Sequence, residues 1–222
     1  MPTSKSSPTF LVLSGMFVCA VGLCMTAARA EPNGSYSSFS LSYRSTTFSA
    51  PICIGTECHD GLAGPSMVYS YQFAPNFALG LSASYLQSAG NSSTLKSTGS
   101  SVFLQAIVDV GEQMDVGALL APVASSLQAC STLTSICNVT GDSGIDAGVF
   151  GKLFLDEERS SSLELSYDEI AYRQAARTSV IGVSLVTVLA GHHRLALYAD
   201  QIEDSNGNNR SHNLGYGYSY LF

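Results

Sequence analysis

The residues able to do chemistry are few in this chain, and they lie far apart. Histidine occurs at His59, His192, His193 and His212. His192 and His193 follow Gly191 in what reads as a short polar turn, while Asp60 follows His59 and Ser211 precedes His212. A hydroxyl becomes a nucleophile only when an imidazole lies within hydrogen-bond reach and a carboxylate orients that imidazole. Adjacent Ser and His on a strand point to opposite faces, which counts against Ser211–His212 as such a pair. No catalytic residue is assigned. Cys53, Cys58 and His59 fall short of the four convergent ligands of a zinc site, so neither a metal nor another cofactor is expected. The sequence has six cysteines; Cys19 and Cys24 lie in the N-terminal apolar segment, and the other four, Cys53, Cys58, Cys130 and Cys137, are open to three disulfide pairings. The close pairs Cys53–Cys58 and Cys130–Cys137 each fall within one connection, and bridges there require an oxidising compartment.

A second set is charged. Arg44, Asp109, Asp115, Asp146, Lys152, Glu164, Asp168 and Asp200 lie in alternating segments. Acids outnumber bases among them, so an aqueous path that they lined would prefer cations. The competing role is an internal ion-pair network, because barrels of about eight strands have interiors just filled by side chains.

The elements that position these residues are read from hydrophobic periodicity. Period-2 alternation runs along almost the whole chain, and helical periodicity is nearly absent. Phe39, Leu41 and Tyr43 alternate with serines and Arg44; Leu163, Leu165 and Tyr167 alternate with Glu164, Ser166 and Asp168. About ten such segments predict an all-β chain. Charged residues make up 12% of the sequence, against about 25% in an average soluble domain. The water-facing strands of a soluble barrel carry far more Lys and Glu, and the net charge of −7 leaves no basic footprint for nucleic acid. The connections, at roughly 49–64, 74–76, 88–98, 111–113, 125–142, 156–160, 173–178, 191–193 and 204–211, alternate long and short. That pattern predicts a closed antiparallel transmembrane β-barrel of ten strands, with eight as the runner-up. Short turns and both termini fall on the periplasmic side. Asp156–Arg159 reads as a solvated turn. The first and last strands are neighbours in such a barrel, so His59–Asp60 and Ser211–His212 could approach one another.

Residues 1–30 read as a secretory signal peptide: Lys5, an apolar centre from Phe10 to Met25, and Ala28-Arg29-Ala30 before Glu31. Residues 31–222 are then the barrel domain. Tyr216-Gly217-Tyr218-Ser219-Tyr220-Leu221-Phe222 resembles the final strand of bacterial outer-membrane β-barrel proteins. The likeness implies that Tyr218, Tyr220 and Phe222 form the signal read by the outer-membrane assembly machinery. The segment from Tyr71 to Gly80 is similar to the tight periplasmic turns of small barrels of the OmpX type, which generally have eight strands.

Three functions compete on these residues. The first is a non-enzymatic, bilayer-embedded surface protein whose disulfide-stiffened outer loops meet an unknown surface ligand or support the membrane. Ile52, Ile54, Leu133 and Ile136 are its candidate apolar contacts. The second is a narrow, porin-like, cation-preferring pore. The third is a lipid-modifying or proteolytic barrel enzyme, against which the poor Ser/His/acid spacing counts.

Overall fold

The structure is a computed structural model that describes residues 36–222, apart from Ala190, Asn206, Asn208 and Asn209. The expected signal peptide lies outside the described residues. Ten strands follow in sequence: β1 (Ser38–Ile54), β2 (Glu57–Ala74), β3 (Phe77–Ala89), β4 (Ser93–Asp109), β5 (Met114–Ser131), β6 (Ile136–Phe154), β7 (Ser161–Tyr172), β8 (Thr178–Leu189), β9 (His193–Asp204) and β10 (Arg210–Leu221). Each pairs antiparallel with its sequence neighbours, and β1 pairs with β10 to close the barrel. The closure brings the two ends of the described chain together, with the Phe222 amide donating to the Ser37 carbonyl at 3.3 Å. Ten strands are therefore correct, and eight is not.

Alternation decides which way each side chain points, and here it turns the usual protein inside out. The exposed face carries Leu41, Tyr43, Leu79, Leu104, Leu165, Leu197 and Tyr216, all at least 43% exposed. The buried face carries Asp115, Lys152, Asn213 and Ser219, all 6% exposed or less. Water disfavours so apolar an exterior and hydrocarbon accepts it, while the polar side chains are kept from lipid inside, so this barrel is built for a bilayer. Outward apolar residues run from Tyr220 to Leu214 on β10 and from Leu189 to Ile181 on β8. With ~3.3 Å rise and ~40° tilt such spans cover about 15–20 Å along the normal, close to the apolar band of known membrane barrels. Above the band, the outward residues turn polar on successive strands: Thr47, Gln87, Ser126, Ser143, Glu169, Ser179, Gln201 and His212.

Aromatic rings laid over glycines pin the register. Phe103 covers Gly80, Phe150 covers Gly117 and Tyr198 covers Gly215, each across one rung. A Cβ on Gly80 would stand 2.0 Å from the Phe103 ring. A residue slip would lose all three contacts and invert the faces.

The long connections prove to be strand. Instead of loops at 49–64, 88–98 and 125–142, β1 to β6 continue upward as hairpins that turn through residues 55–56, 90–92 and 132–135. β5 has 18 residues and β6 has 19, whereas β7 to β10 have 12 each. The rim is thus a tall wall on one side and low on the other. The inner face of the wall holds a core of its own. Leu62, Leu86 and Leu95 are buried there, packed by Phe48, Ile52, Ile54, Leu127 and Ala129. That core, the cap, lies on the inner side of the projecting wall, at the end of the barrel away from the chain termini.

Candidate functional site

The lumen is layered. At the end where the chain termini meet, the Tyr36 hydroxyl donates to Asp115 Oδ2 at 2.9 Å. Arg159 reaches Asp115 at 3.7 Å, and Lys152 pairs with Glu164 at 3.3 Å. Lys152 also sits over the Tyr36 and Phe154 rings, 5.3 and 5.1 Å from their centroids. Asp109 pairs in register with Asp115 but is exposed at the mouth. Mid-barrel, Arg44 faces Asp200 at 4.0 Å and lies over Tyr198. Asp146 and Asp168 occupy neighbouring inward positions on β6 and β7, half-buried. Hydroxyl rungs fill the remaining space: Ser42 with Ser66, Ser82 with Ser101, and Ser40 with Ser219.

All eight charged candidates therefore lie on the inward register. Periodicity missed three further groups. Arg194 is inward, opposite Ser219. Arg159, expected in a solvated turn, folds under the mouth, where Gly111 and Glu112 carbonyls accept from its guanidinium. Tyr36 precedes the first alternating set. The excess of acid over base seen in the sequence is correspondingly smaller inside the barrel.

His59 is buried between the Leu62, Leu86 and Leu95 core and the hairpin tips. Its ring nitrogens lie 2.9 Å from Ser88 Oγ and 2.8 Å from Ser93 Oγ. The Ser93 hydroxyl donates to Glu57 Oε2 at 2.5 Å. A serine, a histidine and an acid are thus joined, but in an order that disarms them. The carboxylate accepts from the serine rather than orienting the imidazole, and Ser93 is fully buried. His212 lies on the outward face of β10, exposed and remote from this group, so the anticipated approach to His59 does not occur. Glu57 ties two hairpin tips together. It accepts from the Asn91 amide (2.7 Å), the Ser92 amide (3.0 Å) and the Ser92 hydroxyl (3.1 Å), and its carboxylate occupies the space a Cβ on Gly90 would need. Donation from the Ser93 hydroxyl and the Ser92 amide, above all, holds the Glu57 carboxyl down at about 2.

Both close disulfides are present, Cys53–Cys58 and Cys130–Cys137. Each joins residues directly opposite in the register. They are rungs across hairpin tips rather than clasps on loops, and both lie on the outer face. Ile52 and Ile54, on either side of Cys53, turn inward onto the cap core. Leu133 and Ile136 instead remain 82% and 61% exposed, and Val139 is 62% exposed. β7 reaches only as far as Gly144 on β6, so residues 136–141 pair with β5 alone and leave one backbone edge open.

No family model matches the chain, and no curated protein matches its sequence. Similar solved structures are bacterial outer-membrane barrels. The translocator domain of the autotransporter NalP from Neisseria meningitidis is 13% identical, with a TM-score of 0.48 over 96% of each chain. Ail, the attachment invasion locus protein of Yersinia pestis, is 12% identical, with a TM-score of 0.43 over 84% of this chain and 97% of its own. The NanC porin is 8% identical, with a TM-score of 0.47 over 82% of this chain and all of its own.

Proposed function

We propose that the chain is an integral outer-membrane protein, non-enzymatic, that acts at the cell surface through its projecting, disulfide-stapled hairpins. The observation that carries this reading is the tall wall. Its tips hold exposed Leu133, Ile136 and Val139 beside the open edge of residues 136–141. An open edge offers backbone donors and acceptors to an added strand, and alternate side chains supply selectivity. The bridges pre-order the tips, so less entropy is lost on contact. The wall faces outward in this reading, the short turns and termini face the periplasm, and the leader at 1–30 with the terminal Tyr218, Tyr220 and Phe222 directs export and assembly. A second reading, the narrow cation-preferring pore, draws on the half-buried Asp146, Asp168 and Asp200 at mid-lumen. The apolar core packed inside the tall side of the rim favours the first.

The test replaces residues 127–140 with a short Gly/Ser turn and leaves the strands within the bilayer intact. The heat-dependent gel shift of a folded barrel should persist while attachment of expressing cells to partner surfaces is lost. Full activity of the shortened barrel, together with its loss in Asp146→Asn, would replace the surface reading with the pore.

A further inference from the structure

The bilayer-facing surface is not uniform. Around β1, β10, β9, β8 and β7 it hollows into an apolar groove of about 630 Å³. Tyr43 and Tyr216, stacked at 6.1 Å, form one wall, and Leu185 with Leu197 continues the same rung. The hollow exists because the next rung carries small residues, Ser45 and Ala199, on either side of Leu214.

Cations stand above this groove. Among the described residues, Arg44, Lys152 and Arg194 point inward and Arg159 lies at the periplasmic mouth. Of the four remaining, three crown the low side of the rim: Arg173, Arg177 and Arg210. Arg177 and Arg210 are outward and open, their side chains 63% and 54% exposed, held by Glu169 at 2.7 Å and Glu203 at 2.8 Å. Arg210 stands four residues above Leu214, and Arg177 six above Val183. At ~3.3 Å rise and ~40° tilt these offsets are about 10 and 15 Å along the normal. The hydrocarbon of one leaflet is about 15 Å deep. The guanidiniums therefore lie at headgroup level when the groove lies among the acyl chains.

From this juxtaposition we infer that the low face binds one phosphate-bearing lipid of the outer leaflet, an acyl chain in the groove and its phosphate on Arg177 and Arg210. The inference rests on the outward orientation given above, but uses none of the hairpin surface. One-leaflet spacing and the two exposed guanidiniums select the occupant: its phosphate takes the place of Glu169 and Glu203 on Arg177 and Arg210.

The probe is lipid A, doped into phosphatidylcholine nanodiscs holding the full barrel, with retained lipid counted by native mass spectrometry. The wild type should retain lipid A and release its dephosphorylated form. Arg177→Ala with Arg210→Ala should weaken retention about 25-fold, a factor of about five for each surface guanidinium against an anionic lipid. The paired Arg→Lys substitutions should restore most of it. Ala199→Leu, which fills the groove from the outside, should weaken retention with the heat-dependent gel shift unchanged; Ser45→Leu serves if that variant does not fold. Equal retention of dephosphorylated lipid, unchanged retention in the groove-filled variant, or dimers cross-linked through the Ala199→Cys variant would each overturn the proposal. Loss of the hairpin tips should leave lipid retention unchanged, so the two readings fail separately.

Discussion

Leu95→Ala should loosen the cap and leave the membrane barrel alone. Leu95 is fully buried in one cluster with Leu62 and Leu86, with Ile52, Ile54 and Leu127 packed on it. Truncating a fully buried leucine costs about 2–5 kcal/mol, according to how far the site collapses into the space. The cap is small and borders solvent, so it should collapse in part, and about 3 kcal/mol is the expected value. If the cap opens as a local unit, amide protection there falls by about 150-fold while protection in the strands below is untouched. Hydrogen exchange in nanodiscs, resolved by peptide, measures both. Peptides from the upper parts of β1 to β5 should exchange faster and those from β7 to β10 should match wild type. Unchanged exchange throughout would show that these side chains form no core. A uniform rise around the barrel would show that cap and barrel are one cooperative unit.

Reducing both disulfides should speed exchange at residues 53–58 and 130–137 but keep the heat-dependent gel shift, because barrel hydrogen bonding is independent of the staples; collapse of the shift on reduction alone would contradict this. Gly80→Val should sharply lower the folded fraction in detergent, since its side chain would displace Phe103 and crowd the Tyr69 carbonyl; a normal yield would show that the ring is not pinning the register. Glu57 titrates about 2 in the fold, below the usual carboxylate value. Its contribution to tip order is therefore complete at neutral pH and lost only as pH falls from about 4.5 through about 2. Infrared titration of the carboxylate, with Glu57→Gln as the blank, should place the midpoint near the lower value, and a midpoint above 4 would remove the tie between the tips. The same sign holds for Asp156, whose carboxyl is lowered by the Ser160 amide and hydroxyl and the Ser161 amide; Asp156→Asn should flatten the acid dependence of the turn at 155–160.

Sequence periodicity was sufficient for the barrel because a bilayer imposes a strict rule on every strand it touches. Leu195, Leu197 and Ala199 must alternate with Arg194, Ala196 and Tyr198, and they do. Even the two-faced run from Val180 to Leu189 is resolved by its neighbours, with Ile181, Val183 and Leu185 outward. Above the bilayer that rule lapses. Both faces of residues 136–141 meet water, so the segment carries no alternation and reads as loop, although its backbone is fully strand. Ile52 and Ile54 read as exposed contacts because the cap core that buries them is assembled from β1, β2, β3, β4 and β5, far apart in sequence. The disulfide pairing was legible from spacing alone. The Glu57–Ser93–His59 group was not, since it joins two hairpin tips through a register that spacing does not carry, and Arg159 was hidden by a turn whose direction only the fold sets.

The central claim is that the wall, and not the lumen, does the work. Planar-bilayer recording of the purified barrel tests it most directly. The purified barrel should show no discrete conductance steps above background, with the apolar core packed inside one rim and ion pairs across the other end. Reproducible cation-selective steps that disappear in Asp146→Asn would contradict it.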